Sequence, residues 1–177
     1  MVEFFTGRLL LREFSTDDAA AFAAYQADPR NLEFYSEDQA EPTHARELLR
    51  LFVQWAEERP RRNYQLAIAE RVMPRTVIGS CGLRTEGLTE GAAEFGIELA
   101  PQHWGRGYAA EAARALLAFG FDELRLHEVL GESVSANVRV ARLMARLGFT
   151  AAGTQPGAAW MQERGWAYVE WQLRRDR

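Results

Sequence analysis

Apolar residues recur along this chain with two periods. Arg8-Leu9-Leu10-Leu11-Arg12 is a short apolar run with charged ends, as in a strand, and Ser15-Thr16-Asp17-Asp18 supplies an N-cap and an acidic first turn for a helix over about residues 17–27. Pro42-Thr43 opens a second helix with Ala45, Leu48, Leu49, Phe52, Val53 and Ala56 at helical spacing, ending near Arg59-Pro60. Strand-like runs at about residues 64–69, 76–83 and 93–100 are separated by turn-rich stretches and read as an antiparallel meander. A glycine-bearing loop, Gln102 to Gly107, then leads into an alanine-rich helix over about residues 108–124. A strand at 129–134, a helix at 137–147 and strands near 149–153 and 166–173 complete the order β-α-α-β-β-β-α-β-α-β-β. The chain is therefore expected to be an α/β (mixed α+β) protein with seven strands and about four helices. With no repeat, low-complexity tract or linker, residues 1–177 are expected to form one domain.

Composition narrows the function classes. At 47% apolar and 26% charged residues the chain reads as a soluble globular protein, and no apolar run approaches the roughly 20 residues that cross a bilayer, so no membrane partner is expected. The net charge of −4 provides no basic field for nucleic acid. Met1-Val2-Glu3-Phe4-Phe5 lacks the features of a secretory signal and Cys81 has no internal disulfide partner, which points to the cytoplasm. His44, His103 and His127 are too scattered to form a metal set, so no metal is expected. Cys81, beside glycines in a strand pattern, reads as a buried structural thiol.

The first candidate for chemistry is the glycine loop. A strand running into a glycine-rich turn and then a helix gathers backbone N–H groups and the positive end of the helix dipole at one point, which favours an anion. In Gln102-His103-Trp104-Gly105-Arg106-Gly107 the glycines open the backbone and Arg106 adds positive charge, so a pyrophosphate fits, although such a turn also occurs without any ligand. The second candidate is the pair Glu94 and Glu98, which share one face of their strand by period-two alternation while Phe95, Ile97 and Leu99 take the other. Either is a potential general base, although each reads first as a salt-bridged or solvated glutamate.

Five signatures lie in sequence order: Thr6-Gly7-Arg8-Leu9-Leu10-Leu11-Arg12 followed by Asp17-Asp18-Ala19; Val77-Ile78-Gly79-Ser80-Cys81-Gly82-Leu83; Glu94-Phe95-Gly96-Ile97-Glu98-Leu99; the glycine loop with Tyr108-Ala109-Ala110-Glu111-Ala112; and Asn137 with Leu147-Gly148-Phe149. Together they resemble the RimJ/RimL-type N-acetyltransferases of the GNAT superfamily over residues 6–173. The resemblance implies a central mixed, largely antiparallel seven-stranded sheet, splayed between its fourth and fifth strands, with acetyl-CoA as cosubstrate in the opening. It implies that Gln102, Gly105, Arg106, Gly107 and the helical N–H groups of Tyr108 and Ala109 cradle the pyrophosphate. The Leu99 main chain and Asn137 would hold the pantetheine arm, Asn137 being also a good N-cap. Acetyl would pass directly to an amine, with a protein or peptide N-terminus as the leading acceptor and a small amine (polyamine, amino acid or aminoglycoside) next. Glu98 lies closer to the expected thioester than Glu94, a bulge in their strand would break their shared parity, and a water chain would serve in place of either. The chain departs from the pattern where such enzymes carry a proton donor for the leaving thiolate: Val140 and Met144 stand there and have no proton to give. That keeps a non-catalytic acyl-CoA-binding domain in view, and a plain phosphate- or nucleotide-binding α/β domain behind it. Phe34, Tyr35 and Trp160 fall in segments that line the acceptor groove in this family, while Trp55, Trp166 and Tyr168 read as core or loop aromatics. Some relatives are dimers, so a homodimer is allowed.

Overall fold

In the computed structural model, which describes residues 1–175, the period-two runs pair into a single sheet and the helical segments cover both of its faces. The strands are β1 (Glu3–Phe5), β2 (Leu9–Glu13), β3 (Asn63–Glu70), β4 (Met73–Arg84), β5 (Ala92–Leu99), β6 (Glu128–Val134), β7 (Thr150–Pro156) and β8 (Ala167–Arg174). The helices are α1 (Ala19–Gln26), α2 (Glu37–Ala40), α3 (Pro42–Glu57), α4 (Tyr108–Asp122), α5 (Val138–Arg146) and α6 (Ala159–Gln162). The expected mixed α/β class is what forms, with two corrections of count: eight strands rather than seven, and six helices rather than four, among the described residues. The extra strand, β1, is three residues long, too short to show a period, and exists through its pairing with β2 (Phe4↔Leu11). The extra helices are single turns; α2 is set by a capping box in which the Ser36 hydroxyl accepts from Gln39 N–H and the Gln39 side chain returns to Ser36 N.

The spatial order is β1-β2-β3-β4-β5-β6-β8-β7. Every neighbouring pair is antiparallel except β5 and β6, which run parallel from Ala92↔Glu128 to Phe95↔Gly131 and then part. Beyond that point β5 stays with β4 as far as Leu99↔Gly79, and β6 stays with β8 as far as Val134↔Tyr168. The expected splay is therefore present. The β4–β5 ladder shows no register shift from Arg84↔Glu94 to Gly79↔Leu99, so β5 carries no bulge and the shared parity of Glu94 and Glu98 holds. The irregularity lies one strand over, where β3 passes from Ile68↔Gly79 to Ala69↔Val77 and leaves Ile78 over.

Each face of the sheet has its own core. On one side α4 lays Ala112, Ala113, Leu116 and Leu117 over Leu66, Ile68, Cys81, Leu83 and Phe95. On the other, α1 and α3 pack Phe22, Tyr25, Ala45, Leu49 and Phe52 against Phe14 and Ala67. Phe22 alone touches the rings of Phe14, Tyr25 and Phe52 at centroid distances of 5.2 to 5.8 Å. No helix of the described residues is long and apolar enough to cross a membrane.

Entry into α1 is fixed by a charge pair. Asp18, whose side chain is 2% exposed, accepts from both terminal nitrogens of Arg12 at 2.8 Å and from the backbone N–H of Ser15 at 2.8 Å. The turn Thr16–Asp18 is consequently 3₁₀, and the α-helix proper begins at Ala19, two residues later than the sequence pattern placed it. Removing one member strands the other in a poorly hydrated position. Asp18→Ala is expected to lower the unfolding free energy by about 3 kcal/mol in a urea titration, with the slope of the transition unchanged.

Candidate active site

The β4 and β5 side chains that face α1 form a polar strip. Because Ser80 pairs with Glu98 and Arg84 with Glu94, the two candidate bases look toward the same side, yet they meet different partners. Glu94 is half exposed and takes a salt bridge from Arg84 Nη2 at 3.2 Å. Glu98 is in no salt bridge among the described residues and is held by neutral donors: Gln26 Nε2 donates to its Oε2 at 2.5 Å and the Tyr35 hydroxyl donates to its Oε1. Gln26 comes from the end of α1 and Tyr35 from the segment after the 3₁₀ turn Leu32–Phe34. Beneath them, Gln65 Nε2 donates to Ser80 Oγ at 3.2 Å and Arg84 Nη1 donates to Gln65 Oε1 at 3.1 Å, so the strip is continuous from Ser80 to Glu94. The Tyr25 hydroxyl is buried beside Ser80 and Gln26 but makes no well-formed hydrogen bond among the described residues; burial, then the charge of Glu98, pushes its ionisation far up.

At the end of β5, Ala100 N–H donates to Ile78 O at 2.8 Å. Leu99↔Gly79 is thus a non-hydrogen-bonded pair, and the N–H and C=O of Leu99 point away from β4 into the splay. Trp104 Nε1 donates to that carbonyl at 2.8 Å, and the Arg139 guanidinium lies 4.3 Å over the Trp104 ring.

The glycine loop folds as its composition demands. Gly105 and Gly107 have φ of +75° and +79°, a left-handed conformation that costs any other residue about 1 kcal/mol or more. An added Cβ at Gly105 would meet nothing within 4 Å, so the loop is open on that side. The first backbone donation into α4 is Glu111 N–H to Gly107 O at 3.1 Å, which leaves the N–H groups of Tyr108, Ala109 and Ala110 without intrahelical acceptors. These residues fit an anionic phosphate group. Arg106 is exposed, 3.8 Å from Glu70 Oε1, and Gln102 is exposed one turn earlier. The Tyr108 side chain turns away and donates to Glu70 Oε1 at 2.7 Å, so only its main chain faces the cradle.

Sequence reasoning missed what anchors this loop. Arg8 Nη1 donates to Arg106 O at 2.9 Å, Arg8 Nε donates to Glu111 Oε2 at 2.7 Å, and the guanidinium sits 4.5 Å over the Tyr108 ring. Thr6 Oγ1 also donates to Glu111 Oε1, at 2.6 Å. Both Arg8 and Glu111 lie in quoted signatures, but a contact across 103 residues carries no local signal.

Asn137 lies on the far side of the opening as N-cap of α5, its Oδ1 accepting from Val140 N–H at 3.2 Å. Val140 is half-buried, and Met144 is turned into the core above Gly131. Cys81 is fully buried, and burial pushes its thiol ionisation far up, which leaves it unsuited to nucleophilic work. Of Phe34, Tyr35 and Trp160, Tyr35 reaches Glu98, while Phe34 and Trp160 both pack on Trp166 at 5.5 and 6.2 Å. No group of three or more His, Cys, Asp or Glu among the described residues is placed to hold a metal ion.

His103 packs on Tyr108, and burial holds its ionisation below the usual 6.5, with Glu70 opposing the shift and Arg106 adding to it. A histidine kept neutral in the folded state takes its proton first in the unfolded chain, so stability rises with pH between the folded midpoint and about 6.5. An NMR titration of the imidazole is expected to give a midpoint below 6.5, and His103→Gln to flatten that stability slope.

The acetyltransferase (GNAT) domain family model matches residues 8–150 of the chain. The chain is 27% identical over 154 residues to the uncharacterized N-acetyltransferase p20 of Bacillus licheniformis, covering 86% of this chain and 85% of that protein. Among solved structures it resembles the ribosomal-protein-S5-alanine acetyltransferase of Vibrio fischeri (TM-score 0.80, 16% identity, 99% and 98% of the two chains covered). It also resembles the spermidine N-acetyltransferase of Vibrio cholerae in complex with CoA and spermine (TM-score 0.76, 18% identity, 94% and 95% covered). At these identities the structural likenesses speak to the fold alone.

Proposed function

The chain belongs to the GNAT acetyltransferase family and is an N-acetyltransferase; from that premise we propose that it is of the RimJ/RimL type and acetylates the free α-amine of a protein or peptide N-terminus, using Glu98 as general base. On this reading residues 1–177 are one catalytic domain working in the cytoplasm. The observation that carries it is the setting of Glu98, a carboxylate with no cationic partner among the described residues, held by neutral donors on the strand that borders the splay.

Acetyl-CoA, when bound, supplies the acetyl group as an activated thioester. Gly105, Arg106 and Gly107, with the N–H groups of Tyr108 and Ala109, would hold its pyrophosphate, and exposed Gln102 would border them. The Leu99 main chain, which points into the opening, and Asn137 across it would hold the pantetheine arm. Glu98 takes the proton that the attacking amine must lose. With reference pKa values near 10.4 and 8, about one lysine amine in a few thousand is neutral at pH 7 against about one α-amine in ten, so an N-terminus asks least of that base. Transfer is direct, since Cys81 is sealed in the core, and water protonates the thiolate, since Val140 and Met144 have no proton to offer. Glu94, tied to Arg84, is left to shape the face.

A small cationic amine is the second reading, and a specific feature favours it. Glu132 and Glu170 pair across β6 and β8, and Glu132 is made a weaker acid by burial and by the charges of Glu94 and Glu170. This wall of carboxylates suits an acceptor with more than one positive charge.

Acetyl-CoA with free N-terminal peptides, N-blocked lysine peptides, polyamines and aminoglycosides is expected to label the free N-termini, read by mass spectrometry. Label on a polyamine alone selects the second reading, and no label with acetyl-CoA still bound marks a non-catalytic domain. Glu98→Gln is expected to lower kcat by roughly 10²- to 10⁴-fold while acetyl-CoA binding persists. In thermal unfolding, acetyl-CoA at about 100 times its Kd is expected to add about 2.7 kcal/mol of stability, an increment smaller in Gly107→Ala. ADP stabilising as well as acetyl-CoA at equal concentration would point to a plain nucleotide-binding domain.

A further inference from the structure

We infer that Tyr35 is the positioning residue for Glu98: the segment that carries it docks across the mouth of the site and fixes the carboxylate in the orientation a base needs. The inference rests on the acetyltransferase reading above and on Glu98 as base.

Two donors reach Glu98, one on each oxygen, from elements far apart in the chain; Gln26 is 72 residues away and Tyr35 63. Each carboxylate oxygen accepts more than one hydrogen bond, so both remain able to take a proton while the side chain loses its rotational freedom. The Tyr35 hydroxyl is well suited to the task. Its ionisation is pushed well above the ordinary phenol value by burial, by the charge of Glu98 and by the hydrogen bond between them, so it stays a donor across the neutral range.

What makes Tyr35 more than a neighbour is the anchoring of its segment. The residue before it, Phe34, packs on Trp166 at 5.5 Å, in the loop between α6 and β8. Glu33 accepts from Arg139 Nη2 at 3.3 Å, and Arg139 lies over Trp104, whose indole N–H holds the Leu99 carbonyl. Three consecutive residues thus bind three separate structures: the coenzyme side of the splay through Glu33, the acceptor side through Phe34 and the candidate base through Tyr35. A strap tied at both edges and in the middle holds Glu98 by geometry rather than by charge, which agrees with the absence of a salt bridge to that carboxylate among the described residues.

A double-mutant cycle tests this. Tyr35→Phe keeps the ring and removes the donor; it is expected to lower kcat roughly ten- to a hundredfold with the KM for acetyl-CoA and the thermal midpoint unchanged. In the Glu98→Gln background the same substitution is expected to cost less than about threefold, since a residue acting through Glu98 has nothing left to position. Gln26→Met, which removes the other donor at similar length, is expected to show the same non-additivity. A second readout is independent of turnover: the Tyr35 hydroxyl proton is expected as a downfield NMR resonance, absent in Tyr35→Phe and moved upfield in Glu98→Gln. Additive losses in the cycle, a drop in thermal midpoint in place of a drop in kcat, or a resonance indifferent to Glu98→Gln would overturn the positioning role. If Glu98→Gln is slow and Tyr35→Phe is not, only this inference fails; if Glu98→Gln turns over normally, the base assignment fails and takes this inference with it.

Discussion

Beyond Phe95 and Gly131, β5 and β6 each keep one partner and lose the other, and the site is arranged around that parting. A strand interior normally has every N–H and C=O paired, and an unpaired group away from water is costly. The parting leaves the outer edge of β5, from Gly96 to Leu99, without a ladder on one side. At Leu99 the C=O is met from within the chain by the Trp104 indole. Because β5 and β6 run parallel, the N-terminus of α4 with its glycine loop and the N-cap of α5 both follow the diverging ends of the two strands.

The glycine loop is held by contacts from outside it. Arg8 and Glu111 fasten the β1–β2 hairpin to the first turn of α4, and Arg8 also holds the carbonyl of Arg106 inside the loop itself. It thereby restrains a loop whose two left-handed glycines have no side chains to pack.

The face that carries the two glutamates follows a different logic. Glu94 and Glu98 have the same parity on the same strand, and only their neighbours separate them: an arginine for one, a tyrosine and a glutamine for the other. Arg84 engages one oxygen of Glu94. Neutral donors orient the Glu98 carboxylate, and each of its oxygens retains capacity for a further hydrogen bond. The polar strip reaches Glu94 alone, through Arg84, and Gln65 pairs with both Ser80 and Arg84 behind it.

Much of this architecture was legible along the chain. The alternation in residues 93–100, the apolar stripe of Ala45, Leu49 and Phe52, and the glycine turn before Tyr108 are local patterns, and local patterns report backbone periods directly. The shared face of Glu94 and Glu98 followed from the same period, and it survived because the bulge fell at Ile78 in β4 and not in β5. The three-residue β1 and the single turns α2 and α6 were not legible, because elements so short show no period of their own; β1 is made by pairing and α2 by capping. Nor was the difference between the two glutamates, the staple from Arg8 to Glu111, or the use of the Leu99 carbonyl by Trp104. The first two are contacts between side chains distant in sequence, and the third needs the loop after β5 to curl back on its own strand. Period and composition by themselves determined which residues form the longer strands and helices and which faces they share; which of two carboxylates of equal parity is held by neutral donors and which by an arginine was decided only when the folded chain brought α1 and the Tyr35 segment over β5, because hydrogen-bond partners are chosen by proximity in space and not by order in the chain.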